Sequence, residues 1–337
     1  MLNLSDLFLK TKLYFLFILL YCPALFSQTV DEKCTQNNEI TIFVIPSVTR
    51  INWENPSILF KSTMDCYWAA LFQKNYYVIG HTIARISSPI LPAPVFVAMS
   101  GAVQTEKIDL VLFKGLGMGS VGATIKGHIE PEASIKRGLK LYASRNKVAF
   151  IKFKVNENSI RRVLEYVDGF GKNSNQHFAS CQMYNGALWP RYKNEGSGCS
   201  AFGMALLDVV NILPKDTDWF MNVKIPMQII GGEFNNNKKV TISSIKKTKS
   251  WYNGNGIADV DYVNYKVFDP SLIFDWILKK RSQHDANFQA GEENGLQGLV
   301  VDRQNMIIDA NEPVFTQRND SNLFVKHYYR RLHNLGL

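Results

Sequence analysis

This chain of 337 residues is poor in several of the features that would classify it at once. It has five cysteines, at 22, 34, 66, 181 and 199, none in the paired spacing of a zinc site. It has no Walker-type phosphate loop. Gly115, Gly117, Gly119 and Gly122 cluster in one segment, but no Lys-Ser/Thr follows, so the segment reads as a loop or bulged turn. No DNA- or RNA-binding signature, internal repeat or low-complexity tract is present, so no nucleic-acid partner is expected, and no cofactor or metal either. What is there is globular: 46% of residues are hydrophobic and 20% charged, enough for one large core or two smaller ones. The 38 Lys and Arg outnumber the 29 Asp and Glu, a formal charge of +9. That excess suits an anionic surface such as cell-wall polymer or lipid headgroups.

The N-terminus has the pattern of a secretory signal peptide. Lys10 and Lys12 precede an apolar run from Leu13 through Phe26, and Ser27-Gln28 closes it. The run is short against the about 20 residues that span a bilayer, which disfavours an uncleaved anchor. Leu20-Tyr21 before Cys22 lacks the small residues that lipidation there would want. Cleavage after Ser27 would place the protein outside the cytoplasm, secreted or in the cell envelope. Cys34, Cys66, Cys181 and Cys199 would then sit where disulfides form. A Cys34–Cys66 bridge is compatible with a free Cys199; a Cys181–Cys199 bridge would make Cys199 structural.

Hydrophobic periodicity divides the chain into a core over 28–214 and an extension over 215–337, packed on it or forming a small second domain. Strands are expected at 39–46, 76–86, 95–100, 108–113 and 147–155, in the order of an antiparallel meander. Asn156 offers a cap for a helix whose face is Ile160, Val163, Leu164 and Val167. In the extension, 227–230 and 240–245 read as strands of a hairpin bearing a lysine cluster, 270–280 as a helix, and 291–298 and 318–321 as loops.

The segment Gly196-Ser-Gly-Cys-Ser-Ala-Phe-Gly203 runs a glycine-rich turn into an apolar helix. The first turn of a helix has unpaired N–H groups and a partial positive charge, which favour a thiolate at Cys199. Gly196 and Gly198 would leave the sulfur open to substrate. Of the six histidines, His81 is the best base because it opens the strand Thr82-Ile-Ala-Arg-Ile86; His128 is the alternative. His284, His327 and His333 lie in polar surroundings and read as surface residues, and His177 lies in a loop.

With Val78-Ile-Gly-His-Thr-Ile-Ala84 ahead of Gly198-Cys-Ser-Ala-Phe-Gly203, the chain resembles the circularly permuted papain-like fold. That group includes NlpC-type cell-wall peptidases and relatives of lecithin retinol acyltransferase. The resemblance covers about residues 40–213 and implies an α+β fold, an antiparallel sheet with a packed cysteine-bearing helix. It implies Cys199 as nucleophile and His81 as base. The third, orienting group has Ser100, Gln104, Glu106 and Asp109 as candidates. The expected activity is that of a secreted, monomeric cysteine hydrolase of amidase or peptidase type, acting on cell-wall peptide or on a lipid acyl group. An acyltransferase shares that chemistry. The alternative is a non-catalytic envelope-binding protein with Cys199 structural.

Overall fold

The computed structural model describes residues 37–336 except 74, 103–105, 173–177, 216–217, 284, 310 and 335. The segment expected to be a signal peptide, with Cys22, and also Cys34, Gln104, His177 and His284 therefore lie outside the described residues. The elements run β1 (Glu39–Ile45), α1 (Pro56–Leu71), β2 (His81–Ser87), β3 (Val95–Val97), β4 (Met99–Gly101), α2 (Glu106–Leu112), β5 (Ile125–Ile129), α3 (Glu132–Ala143), β6 (Ala149–Lys154), α4 (Glu157–Gly171) and β7 (Met183–Tyr184). They continue with α5 (Cys199–Asp208), β8 (Phe220–Pro226), α6 (Ile242–Lys247), β9 (Tyr262–Phe268), α7 (Pro270–Ser282), β10 (Gln289–Glu293), β11 (Leu296–Asp302) and α8 (Leu323–Asn334). The fold is mixed α+β.

The largest sheet has the strand order β10-β11-β6-β1-β2-β3, antiparallel except where β11 runs parallel to β6. Alternation along β1 builds two cores at once, because successive side chains leave opposite faces. Ile40, Ile42 and Val44 face α4, α5 and α7, while Phe43 and Ile45 face α3. Helix starts are written locally. Asn55 accepts from Ile58 N at 3.0 Å before Pro56, Asn156 from Ser159 N at 2.9 Å, and Asp269 from Ser271 N at 2.7 Å before Pro270. Helix α5 is buried from Ser200 to Leu207, as its all-round apolar sequence requires. A smaller sheet β4-β5-β7 and the β8-β9 pair complete the strands described.

The meander order holds for β1, β2 and β3, but several expected elements differ. Residues 108–113 belong mostly to α2, where Ile108, Val111 and Leu112 recur at helical spacing. The 95–100 run is split into β3 and β4, which join different sheets. Residues 227–229 form a 3₁₀ turn, and Thr241 caps α6 where a strand was expected. The glycine-bounded 291–298 segment is a hairpin: Asn294 and Gly295 both take positive φ (50° and 76°), the two-residue turn that Asn-Gly favours. The extension thus supplies β10 and β11 to the same sheet as the core.

Polar residues are also buried in that sheet. Arg85 on β2 donates to both carboxylate oxygens of Glu293 on β10 and, at 3.3 Å, to Thr41 Oγ1 on β1. Lys152 on β6 lies 2.6 Å from Glu293 and 3.4 Å from Glu39. Burial would raise the Glu293 carboxyl, but Arg85 first and then Lys152 hold it below the usual range. Such a carboxylate stabilises the fold at pH above its unfolded value and loses that contribution as pH falls through its folded value. Glu293→Ala should cost about 3 kcal/mol at neutral pH by urea denaturation, since it strands the buried Arg85. The variant should also show a flatter loss of stability in acid than the wild type.

Candidate functional site

Gly80 and His81 sit where α7 begins to pack on the sheet. Gly80 has φ +88°, and a Cβ there would lie 3.0 Å from the Ile45 carbonyl oxygen and from Pro270 Cβ. Only glycine fits this turn without strain, and the turn aims His81 inward from the first position of β2. Helix α5 packs against β2, with Thr82 Oγ1 donating to the Cys199 carbonyl at 2.8 Å. His81 and Cys199 therefore start two elements joined end to end, and their side chains are in hydrogen-bond contact.

On its other side, His81 Nε2 lies 2.8 Å from Glu130 Oε1, both residues being buried. The carboxylate sits off the line of the ring N–H, so the contact is an ion pair rather than a linear hydrogen bond. With Nε2 so engaged, Nδ1 is the nitrogen left for the sulfur. Tyr77 stacks on the imidazole, centroids 3.9 Å apart and planes 11° apart, and its hydroxyl donates to Glu130 Oε2 at 2.8 Å. Ser100 Oγ donates to Glu130 Oε1.

The electrostatics follow from these contacts. Burial opposes charge on all three groups, yet the contacts outweigh it. Cys199 first and Glu130 second lift the imidazole to about 9. His81 chiefly, with Ser200 and Tyr184, lowers the Cys199 thiol below its ordinary value. His81, then Ser100 and Tyr77, bring Glu130 down to about 2. These contacts all push the same way, favouring the thiolate form of Cys199, the protonated form of His81 and the ionised form of Glu130.

Glu130 is thus the group in contact with the far side of His81, and of the three sequence candidates among the described residues Ser100 bonds to it. Glu106 and Asp109 belong to α2, and Asp109 is exposed. His128 is exposed on β5, paired with Ser100 across the strands, and the side chains in contact with Cys199 are those of His81, Ser200 and Tyr184 instead. A signal for Glu130 existed in an acid that ends a strand just before Pro131, but register alone could not say that it turns under His81.

Cys66, Cys181 and Cys199 are all free thiols. Cys66 is buried and donates to the Thr49 carbonyl at 3.1 Å, and the Cys181–Cys199 bridge is not formed. Gly198 lines the space beside the sulfur, but Gly196 does not. A Cβ on Gly196 would fall 1.9 Å from the Met183 carbonyl oxygen, so this glycine lets 196–198 lie against 183–185. Ser197 N donates to Met183 O at 3.0 Å and Asn185 N to Ser197 O at 3.2 Å there.

The turn before Cys199 is held by the C-terminal extension. Glu195, fully buried, receives Arg318 Nη2 at 2.8 Å, Tyr329 Oη at 2.8 Å and Trp189 N at 2.9 Å. Tyr328 Oη accepts from Gly196 N at 3.2 Å and donates to the Asn194 carbonyl.

Cys199 opens on a cavity of about 230 Å³ walled by Phe60, Met64 and Tyr67 of α1, by Ile108 and Val111 of α2, and by Val267 of β9. Besides Ser200, whose hydroxyl is 3.8 Å from the sulfur, Tyr184 and Lys107 line it as polar side chains. Tyr184 hydrogen-bonds Cys199, and burial followed by the Cys199 charge raises its phenol far above the ordinary value, so it stays protonated. Lys107 is brought down to about 8 by burial, against the pull of Cys199, and donates to the Val121 carbonyl at 3.4 Å. Among the described residues no group of three or more His, Cys, Asp or Glu is placed to hold a metal, and no described helix is long and apolar enough to cross a membrane. In comparisons with known proteins, no family model matches the chain, and no curated protein or solved structure shows significant similarity to it.

Alkylation of Cys199 by iodoacetamide should titrate below an ordinary thiol. His81→Ala should move that midpoint up towards the ordinary value, and Glu130→Gln should move it in the same direction by less. Arg318→Ala should cost about 3–5 kcal/mol because Glu195 stays buried without its cation. It should also slow Cys199 alkylation while His81 is untouched, measured on protein still folded by circular dichroism.

Proposed function

We propose that the protein is an exported cysteine hydrolase that forms an acyl-enzyme on Cys199, with His81 as base and Glu130 as orienting acid. The observation that carries this is the continuous Cys199–His81–Glu130 line opening on an apolar cavity. The order of a histidine strand before a cysteine helix supports a permuted papain-like arrangement. Free thiols at Cys181 and Cys199, together with a third group, speak against the non-catalytic alternative.

In this reading the Cys199 thiolate attacks an ester, thioester or amide carbonyl carbon, and the carbonyl electron pair moves onto oxygen. The Cys199 N–H at the helix start and the Tyr184 hydroxyl are the donors placed for that oxyanion. The tetrahedral intermediate collapses, the bond to the leaving group breaks, and His81 Nδ1 gives up its proton to that group. Neutral His81 then takes a proton from water as the water attacks the acyl-enzyme, releasing the acid and restoring the thiolate–imidazolium pair. Glu130 stays ionised throughout and holds the ring. An alcohol or amine acceptor in place of water would give acyl transfer by the same steps. The apolar walls favour an apolar acyl group over a polar cell-wall peptide.

Hydrolysis of 4-nitrophenyl esters of increasing chain length, with intact-mass detection of the acyl adduct, tests the proposal. Cys199→Ala should abolish turnover and the adduct, and His81→Ala should lower kcat/KM by about 10²–10⁴-fold. The pH profile should rise through the depressed thiol value and fall near 9, where His81 loses the proton it must donate. Full activity in Cys199→Ala would sink the reading.

A further inference from the structure

The cavity stripe of α1 does not stop at the cavity. Phe60, Met64 and Tyr67 line it, and the next residue at that helical spacing is Leu71, 71% exposed. Trp68 and Phe72 beside it are 59% and 86% exposed. Helix α2 repeats the pattern: Ile108, Val111 and Leu112 line the cavity, and Phe113, which follows, is 75% exposed. Two cavity walls therefore end in large apolar side chains facing solvent, a concentration that marks an interaction surface.

Cations lie beside the exposed end of α2 and around the start of α1, where α6 joins it through Ser57. Lys61 is exposed on α1, and Lys114 follows Phe113. The stem of Lys239 packs against Gly115, with Lys238 exposed beside it. Lys246 and Lys247 are exposed on α6, which packs against α1. None of these six has an ion pair among the described residues, and Asp65 and Asp109 are the exposed acids on the two helices. The lysine cluster that the sequence left unassigned thus lies beside the Phe113 end and along the start of α1, on the helices that wall the cavity. Aromatic and aliphatic side chains rimmed by unpaired lysines match the interface of an anionic bilayer, with the rings at headgroup depth and the lysines on the phosphates.

We propose that the exposed ends of α1 and α2 and their flanking lysines dock the protein peripherally on an anionic lipid bilayer, turning the Cys199 cavity towards it. This rests on the hydrolase reading only for its purpose, an apolar acyl group passing from bilayer to cavity; the docking itself needs no catalysis. The test uses the chain from residue 28, which keeps every described residue, with phosphatidylcholine vesicles with and without phosphatidylglycerol. Co-sedimentation should require the anionic lipid and weaken with salt, and tryptophan emission should shift to the blue in the wild type but not in Trp68→Phe. The triple variant Leu71→Ser, Phe72→Ser, Phe113→Ser should bind vesicles at least about tenfold more weakly, with the iodoacetamide rate at Cys199 unchanged as proof of an intact site. Cys199→Ser should bind like the wild type, so loss of hydrolysis and loss of docking are separable. Equal binding by the triple variant, no binding to anionic vesicles, or a wild-type dimer that this variant converts to monomer would overturn the proposal.

Discussion

A thiol and an imidazole held together largely out of water, each favouring the charged form of the other, set the terms for the rest of this molecule. Desolvation works against both charges, and the attraction of each group for the other opposes it. Glu130, paired with His81 Nε2 and itself held by Ser100 and Tyr77, adds to the charge on the imidazole. Tyr77 also covers one face of the imidazole, so the ring is fixed in plane as well as in charge. The arrangement satisfies the buried carboxylate from three sides and leaves Cys199, not the ring, to line the cavity.

Holding these groups requires distant parts of the chain. His81 leaves the sheet at a glycine turn shaped by Ile45 and Pro270, and Glu130 comes from the small sheet beside it. The turn into Cys199 is tied down by Arg318, Tyr328 and Tyr329, more than a hundred residues away. The extension is therefore part of the framework of the site: its strands β10 and β11 lengthen the central sheet, and its last segment clamps the nucleophile turn.

How much was readable beforehand varies with the range of the interaction. Cys199 and His81 were legible because a glycine-flanked cysteine at a helix start and a histidine at a strand start are local patterns. The helices α4, α5 and α7 were legible through caps and periodicity. Residues 108–113 were not, because a short apolar run suits strand or helix until its neighbours choose. The 291–298 segment carries a strong local hairpin signal in Asn294-Gly295, but its flanking glycines are equally the mark of a loop, and the partner strand β6 decides between them. Glu130 was passed over because its meaning lies in what it touches.

The sequence by itself determined the thiol at a helix start, the alternating strands that make a two-sided sheet, and the positive charge. Each follows from rules that act within a few residues. Tertiary structure alone decided that Glu130 orients His81, that Cys199 stays free of Cys181, and that Arg318 neutralises Glu195. Those depend on where separately encoded elements meet, and a buried charge can be interpreted only once its partners are in place.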